Sequence, residues 1–333
     1  MMKDVCILAF TDKGRETAEK VESGLTDMNI EMYDKSCGAA GGFVESRFRK
    51  CDGFIFVGAV GIAVRMIAPY VESKGTDPAV VVLGEDGAYV ISVMSGHIGG
   101  GNRLTERIAG ITGGQAVITT ATDINGAFAV DVWAGDNGCV IPELSMIRKI
   151  SGAVLRGEAV GFDAGTFAIE GQLPQELTSE EADTGISVSL SGNSSRFENT
   201  LNVVPVIVTL GVGCHKDGDS ENFEKAVLKA LEDNNISMTA VERVASVDLK
   251  REEKCIIDFC ARYRLPFVTY APEELMATPG NFAHSDFVEK ITGADNVCER
   301  SCVLASGGRL IMKKTPAEGV TVAAAIRPWK CRF

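Results

Sequence analysis

Short apolar runs alternate with amphipathic segments along the N-terminal part of the chain. Runs such as Gly53–Val57 and Ala79–Leu83 consist almost entirely of aliphatic and aromatic residues, and segments such as Gly14–Leu25 repeat apolar residues at helical spacing. Buried strands that alternate with amphipathic helices predict a largely parallel sheet with helices on its faces. We therefore expect a layered α/β domain over residues 1–135. The predicted strands are 5–10, 30–33, 53–57, 79–83, 89–93 and 116–118, and the predicted helices are 14–25, 43–50, 60–68 and a segment after Gly101.

The pattern changes after Trp133. Residues 136–201 contain a helix-like segment and then a stretch rich in polar and turn-forming residues, which predicts a small middle module or a long connection. Apolar runs return at "VVPVIVTL", residues 203–210, and predict a C-terminal α/β domain over 202–333 in which Ser220 caps a helix. The expected fold class is α/β, with two layered α/β domains of largely parallel sheets joined by a small middle module. Further predicted elements are a helix around 256–263 and strands 267–270, 310–313 and 320–326.

A net charge of −12 over 333 residues repels nucleic acid and acidic membranes, so neither is an expected partner. The longest apolar runs fall short of the ~20 residues that span a bilayer, and the start of the chain lacks the apolar core of a signal peptide. These features predict a cytoplasmic protein. The ten cysteines form no CxxC pair and the three histidines are widely separated. We therefore expect neither a disulfide framework nor a dedicated metal site.

Two glycine-rich segments follow predicted strands. "FIFVGAVGIAVR" contains Gly58 and Gly61, and "VTLGVGCHK" contains Gly211 and Gly213. Glycine at the end of a strand lets a ligand approach the backbone, whose N–H groups can hold an anion. It serves a tight turn equally well. Because GxGxxG and GxxxxGK[ST] are both absent, a dinucleotide or P-loop site has little support.

The segment "SGHIGGGNR", residues 95–103, places a histidine beside three glycines at the start of a predicted helix. Unpaired N–H groups and a partial positive charge at a helix N-terminus favour an anion. His97 beside them is a candidate general base or acid, with Ser95 as its hydroxyl partner. The alternative is that Ser95 caps a turn and His97 bonds a carbonyl group.

A second polar group follows the predicted strand 116–118. Its members are Thr119, Thr120, Thr122, Asp123 and Asn125. The carboxyl ends of strands are where open α/β sheets bind their ligands, and Asp123 there is suited to orient an imidazole or a water. An Asx turn is the alternative reading. A separate turn at Thr76 and Asp77 precedes the strand 79–83.

Four segments in this order, "GAVGIAVRMIAPY", "KGTDPAVVVL", "SGHIGGGN" and "VITTATDINGAFAVD", followed by "LGVGC", resemble the CbiG family. These are the cobalt-precorrin-5A hydrolases of the anaerobic cobalamin (vitamin B12) pathway. The resemblance is specific over residues 54–133 and weaker at 206–216 and in "ASVDLKREE", residues 245–253. It implies that water opens the δ-lactone of a ring-contracted, cobalt-bearing tetrapyrrole, that acetaldehyde leaves, and that cobalt-precorrin-5B forms. It also implies that cobalt arrives with the substrate, without a separate cofactor, and allows transient contacts with other enzymes of the pathway.

Lactone hydrolysis needs a base to activate water and donors for the developing oxyanion. The predicted catalytic residues are His97 as base, Asp123 as its orienter or replacement, and Ser95, with the amides of 99–102 as oxyanion donors. The predicted substrate-binding residues are Gly58, Gly61, Arg65, Thr76, Asp77, Gly99, Gly100, Gly101, Asn102, Arg103, Thr119, Thr120, Thr122, Asn125, Gly211, Gly213 and Lys216.

The acetate and propionate groups of such a substrate require local cations in an acidic protein. Arg65, Arg103 and Lys216 are the expected ones, with Arg47 or Arg49 as additions, and a flat ligand would suit a cleft between the first and third domains. Two other classes stay open. A non-catalytic corrinoid carrier or pathway scaffold would tolerate loss of His97, and an α/β sensor would bind a phosphate-bearing ligand at the glycine turns. A tetrapyrrole methyltransferase is disfavoured because a cofactor fingerprint is lacking.

Overall fold

The computed structural model describes residues 2–73, 75–96, 99–120, 126–317 and 319–333, without the side chain of Cys37. The chain forms two compact units, Met1–Gly135 and Asp136–Phe333. Within the described ranges, no helix combines the length and the apolar character needed to cross a bilayer. The division into three domains at residues 135 and 201 stays a prediction.

The first unit is a layered α/β structure. Its strands are β1 (Asp4–Ala9), β2 (Asn29–Met32), β3 (Gly53–Val57), β4 (Ala79–Leu83), β5 (Tyr89–Met94) and β6 (Gln115–Val117). Its helices are α1 (Asp12–Gly24), α2 (Ala40–Arg47), α3 (Val60–Ile67) and α4 (Gly101–Thr112), and α5 (Val130–Asp136) lies at the boundary. The strand order is β2-β1-β3-β4-β5-β6. Neighbours are parallel except β4 and β5, which are antiparallel.

Both faces of this sheet are covered. Ile55 and Val57 of β3 share a core with residues of α1 and α4, whereas Phe54 and Phe56 share the opposite core with residues of α2 and α3. A strand that is buried on both faces has a continuous apolar sequence. This is why the sequence predicts β3 and β4 with the bounds that the structure shows.

The second unit begins with a small sheet. Its elements are β7 (Cys139–Val140), α6 (Ile147–Leu155), β8 (Val160–Asp163), β9 (Ile169–Glu170), β10 (Leu177–Thr178), β11 (Thr184–Val188) and β12 (Asn199–Pro205). The strand order is β10-β8-β11-β12-β7, with only the β12 and β7 pair antiparallel among the described pairs. The polar stretch before residue 201 thus contains a sheet rather than an extended connection.

A second sheet completes this unit. Its elements are β13 (Val208–Cys214), α7 (Ser220–Asp233), β14 (Val241–Val247), α8 (Lys254–Tyr263), β15 (Phe267–Tyr270), α9 (Pro272–Ala277), α10 (Asp286–Thr292), α11 (Val297–Ser306), β16 (Arg309–Ala317) and β17 (Val320–Ile326), followed by β18 (Cys331–Arg332), which pairs with β9. The order is β15-β14-β13-β17-β16. β13, β14 and β15 are parallel, and β17 is antiparallel to both of its neighbours. Helices α7 and α8 pack on one face and α11 on the other.

Two local predictions in this sheet are wrong. Asp219, not Ser220, caps α7, because its carboxylate accepts the amide of Asn222 at 2.8 Å while the Ser220 hydroxyl donates to Asp258. The predicted glycine turn at 211–213 is instead part of β13, which pairs with β17 as far as Cys214.

Candidate functional site

Several predicted site residues meet at one edge of the first sheet, the edge where β4 begins. Because β5 is antiparallel to β4, Met94 at its end lies opposite Val80. β6 is parallel to β5, so the chain leaves both strands toward this edge. Ser95, Thr120 and the turn that precedes β4 are thereby brought together.

Asn102 connects three segments at this edge. Its side-chain oxygen accepts a hydrogen bond from the Ser92 hydroxyl at 2.7 Å, and its side-chain nitrogen donates to the Thr120 hydroxyl at 3.3 Å. The residue is 8% exposed, so these contacts are largely shielded from water. We call Asp77, Ser92, Ser95, Asn102 and Thr120 the edge cluster. Sequence reasoning missed Ser92, whose only signal is a hydroxyl inside the apolar run of β5.

Ser95 holds the edge cluster to the turn before β4. Its hydroxyl donates to the backbone carbonyl of Asp77 at 2.9 Å, and its φ of 53° lies in the left-handed region. That conformation is strained for a residue with a side chain, and such strain is often found at functional sites. The proton of this hydroxyl is thus engaged with the backbone, while His97, its predicted partner, lies outside the described residues.

The glycines after Ser95 allow the loop to fold back on the start of α4. A Cβ on Gly99 would lie 2.5 Å from the Cβ of Ser95, and one on Gly101 would lie 2.9 Å from the carbonyl oxygen of Met94. The amide of Gly101 donates to the Ser95 carbonyl at 3.1 Å, and the amide of Asn102 donates to the Gly96 carbonyl at 2.9 Å. These two amides are bonded to carbonyl groups of the preceding loop, and the role of the 99–102 amides as oxyanion donors stays a prediction.

The carboxylate of Asp77 has a structural role, and the substrate-binding role predicted for it stays a prediction. Its side chain is 1% exposed and pairs with Arg49 at 2.8 Å. The other carboxylate oxygen accepts the amides of Glu72 and Ser73, both at 2.9 Å. Thr76 beside it is exposed. Arg49 also donates to the Tyr70 carbonyl at 2.7 Å, which fixes its guanidinium in the fold.

A second group of predicted residues lies at the opposite edge of the same sheet. The amide of Gly58 donates to the Leu83 carbonyl at the end of β4, and Gly61 and Arg65 follow on α3. A five-residue strand separates the two edges by about 16 Å. The structure therefore does not bring Gly58, Gly61 and Arg65 together with the edge cluster.

The predicted cations differ in their surroundings. Arg65 and Arg103 are exposed on helices, and Lys216 is exposed after β13. Arg47 donates two hydrogen bonds to the Glu31 carboxylate, which lower the pKa of that carboxyl group. Arg47 is therefore neutralised by a protein carboxylate.

Gly211 is a packing residue. A Cβ there would overlap the carbonyl oxygen of Cys298, because α11 crosses β13 at this point. A Cβ on Gly213 would lie 2.8 Å from the Thr321 hydroxyl on the neighbouring strand. Both glycines therefore have a packing role, and the substrate-binding role predicted for them stays a prediction.

Four predicted residues lie outside the described ranges: His97, Thr122, Asp123 and Asn125. In the sequence, His97 is two residues after Ser95, and Asp123 is three residues after Thr120. Thr119, which precedes Thr120, is exposed.

The second unit contains a basic cavity that sequence reasoning missed. It has a volume of about 550 Å³ and is lined by Arg148, Lys149, Arg156, Thr184 and Asn199. Lys149 donates to the Asn199 side chain at 2.7 Å, and Arg156 donates two hydrogen bonds to Glu158, which lower the pKa of that carboxyl group. Arg156 is thus paired with a protein carboxylate, and Arg148 and Lys149 are the side chains that suit this cavity to a carboxylate-bearing ligand.

Comparisons with known proteins match both ends of the chain. The family model described as Cobalamin synthesis G N-terminal matches residues 42–123, and the one described as Cobalamin synthesis G C-terminus matches residues 208–325. The cobalt-precorrin-5A hydrolase of Salmonella typhimurium (strain LT2) is 33% identical over 301 residues, which cover 86% of this chain and 86% of that protein. The cobalt-precorrin-5A hydrolase of Priestia megaterium is 30% identical over 345 residues, which cover 98% and 89%. A crystal structure of a cobalamin biosynthesis protein G homologue from Sulfolobus solfataricus is 22% identical, covers 98% of this chain and 97% of its own, and gives a TM-score of 0.45.

Proposed function

The chain belongs to the CbiG family of cobalamin-synthesis proteins, and from that premise we propose that it is a cobalt-precorrin-5A hydrolase. It opens the δ-lactone of its substrate with water and releases acetaldehyde to give cobalt-precorrin-5B. The observation that carries the proposal is the similarity over most of the chain to two hydrolases of this name. A non-catalytic corrinoid carrier or scaffold is not favoured, because the relatives are named as enzymes.

The substrate supplies the metal in this proposal. Cobalt enters with the tetrapyrrole and leaves with the product, so the hydrolysis needs no separate cofactor. The reaction belongs in the cytoplasm, with other enzymes of the same pathway as transient contacts. A chain with a net charge of −12 has no long-range attraction for nucleic acid.

The chemistry has two steps, and both transfer protons. In the first, water adds to the lactone carbonyl carbon as a base removes its proton, and the ring C–O bond then breaks as the protonated base returns that proton to the leaving oxygen, which gives a carboxylic acid and a hydroxyl group. When that hydroxyl becomes the carbonyl of acetaldehyde, its proton goes to a base, and the adjacent C–C bond breaks with its electrons staying on the tetrapyrrole. A single group that gives and takes protons near neutral pH serves both steps.

His97 is the proposed base and Asp123 its orienter or replacement. Both belong to segments that the chain enters directly from the edge cluster, which supports this assignment: Ser95 precedes one and Thr120 the other. Asn102 links the two entry points through its contacts with Ser92 and Thr120. The role of the edge cluster in this proposal is to position the segments that carry the reacting groups.

The test is anaerobic incubation of the purified chain with cobalt-precorrin-5A, with acetaldehyde trapped and the corrinoid followed by mass. We expect acetaldehyde from the wild type and from His284→Gln, a histidine control in the second unit. We expect acetaldehyde release to be lost in His97→Ala while corrinoid binding is retained, because removal of the base stops the chemical step and leaves the binding contacts in place.

Other outcomes separate the parts of the proposal. Release by His97→Ala at the wild-type rate would discard His97 as base, and loss in Asp123→Asn would then assign the role to Asp123. A folded wild type that binds the corrinoid tightly but releases no acetaldehyde would overturn the hydrolase.

A further inference from the structure

Three potential metal ligands converge in the second unit, at the end of β13. They are Cys214, Glu253 and Cys255, which we call the thiol cluster. One ligand atom from each lies within 4.8 Å of the ligand atoms of the other two. Cys214 ends β13, Glu253 is the N-cap of α8 and Cys255 is the second residue of that helix. The cluster thus joins the carboxyl end of a central strand to the start of a helix that packs on the same sheet.

The thiol cluster is held in place by the fold. Cys255 is fully buried, and the side chain of Glu253 is 8% exposed. One carboxylate oxygen of Glu253 accepts the Lys250 ammonium at 2.8 Å, and the other accepts the amide of Gly218 at 3.2 Å. The Glu253 carboxylate is therefore fixed beside the two thiols before any ligand binds.

The distances suit a tetrahedral thiolate site. The sulfur atoms of Cys214 and Cys255 are 3.7 Å apart. A tetrahedral centre with Zn–S bonds of about 2.3 Å separates two sulfurs by about 3.8 Å. Cys214 and Cys255 therefore already have the spacing of two ligands of one ion, and a carboxylate oxygen is an ordinary third ligand for zinc.

We propose that Cys214, Glu253 and Cys255 bind one thiophilic divalent cation of the Zn²⁺ or Co²⁺ class, with water as the fourth ligand. Two soft sulfur ligands favour such ions over Mg²⁺ and Ca²⁺. Binding transfers the two thiol protons to solvent, so that two thiolates, one carboxylate and the Lys250 ammonium balance the ion. A carboxylate has about four lone-pair sites, so Glu253 can accept from Lys250 and still bind a cation.

This cation is separate from the cobalt of the proposed substrate, and it joins the end of β13 to the start of α8. The inference does not rest on the hydrolase activity. It departs from the expectation, drawn from the spacing of the cysteines and histidines, that the chain has no dedicated metal site. Two segments singled out in the sequence, "LGVGC" and "ASVDLKREE", supply Cys214, Lys250 and Glu253.

The test uses the full chain, treated with a chelator and a phosphine reductant under anaerobic conditions and then titrated with Co²⁺. We expect a sulfur-to-cobalt charge-transfer band in the near ultraviolet that saturates at one ion per chain and is displaced by Zn²⁺. Cys214→Ala and Cys255→Ala should each abolish the band, and Glu253→Gln should weaken binding about tenfold. The matched control is Cys51→Ala. It removes a thiol from another pair of cysteines in contact, Cys6 and Cys51, which belongs to the first unit.

Absence of the band, or its persistence in both Cys214→Ala and Cys255→Ala, would overturn the proposal. X-ray absorption on the Zn²⁺-loaded wild type gives a readout that does not depend on how the variants fold. Two sulfur neighbours at about 2.3 Å would support the site, whereas a shell of only oxygen and nitrogen would refute it. Neither measurement uses the cobalt-precorrin substrate, so its result is independent of the acetaldehyde assay.

Discussion

Ser95 combines a strained backbone with a hydrogen bond that stabilises the edge cluster. Its positive φ disfavours any residue with a Cβ, whereas its hydroxyl holds the carbonyl of Asp77. The two effects have opposite signs, and two substitutions at the same position separate them.

Ser95→Ala and Ser95→Gly both remove the hydrogen bond, but only glycine relieves the backbone strain. We expect Ser95→Gly to be more stable than Ser95→Ala by about 1 kcal/mol. The measurement is urea unfolding followed by Trp133 fluorescence in a Trp329→Phe background, since Trp133 is then the only tryptophan and lies in the first unit. A more stable alanine variant would contradict the assigned backbone conformation.

Asp77 concentrates several interactions in one buried carboxylate. Asp77→Asn removes the charge that pairs with Arg49 and places an NH₂ group among amide donors. We expect a loss of about 2 kcal/mol in the free energy of unfolding of the first unit, measured with the same Trp133 reporter. Thr76→Ala, one residue away and exposed, is the control and should lie within about 0.5 kcal/mol of the wild type. Equal stability of the two variants would refute the structural role of Asp77.

At the scale of elements, the crossing of α11 over β13 depends on the absence of a side chain at Gly211. The backbone of α11 at Cys298 occupies the space where a Cβ would be. The backbone of a helix cannot rotate away from a new Cβ as a flexible side chain can. The whole of α11 would therefore have to shift.

Gly211→Ala should therefore destabilise the second unit by about 3 kcal/mol or more, at the upper end of overpacking effects. Gly213→Ala is the matched comparison, because its Cβ would meet the Thr321 hydroxyl, which can rotate away. The measurement is urea unfolding followed by Trp329 fluorescence in a Trp133→Phe background. If Gly213→Ala proves the more damaging of the two, the assigned contact between α11 and β13 is wrong.

At the scale of the whole molecule, the protein is acidic and yet contains a basic cavity in its second unit. With a net charge of −12, capture of a polycarboxylate depends on local groups rather than on the overall field. Arg148 and Lys149 in the lining of this cavity are such groups.

If this cavity holds carboxylates of the proposed substrate, Arg148→Ala should raise KM about three- to tenfold and leave kcat unchanged, because one charge-assisted contact is lost equally in the ground and transition states. Initial rates of acetaldehyde release at varied substrate concentration give both constants. Arg196→Ala, an exposed arginine of the same unit outside the cavity lining, is the control. An unchanged KM for Arg148→Ala would show that the cavity takes no part in substrate binding.

The sequence by itself determined the elements that are buried on both faces. β3, β4 and β17 have the predicted bounds, because a strand covered on both sides must be largely apolar and the signal is local. β15 also has the predicted bounds, although it is an edge strand whose residues are only partly buried. The segment 297–306 was missed as a helix because cysteine, serine and charged residues interrupt its apolar stripe, and its burial comes from packing against β13 and β17.

The motifs of the N-terminal domain were likewise visible in the sequence, but their grouping was not. Sheet topology decided that Ser95, Asp77, Asn102 and Thr120 share one edge while Gly58 and Arg65 lie at the other, since the antiparallel β5 reverses the direction of the chain. Tertiary contact also decided what each polar group is bonded to. Asp77 pairs with Arg49, 28 positions away in the sequence, and Cys214 approaches Cys255, 41 positions away. A pattern within a short stretch of sequence does not show contacts between residues so far apart along the chain.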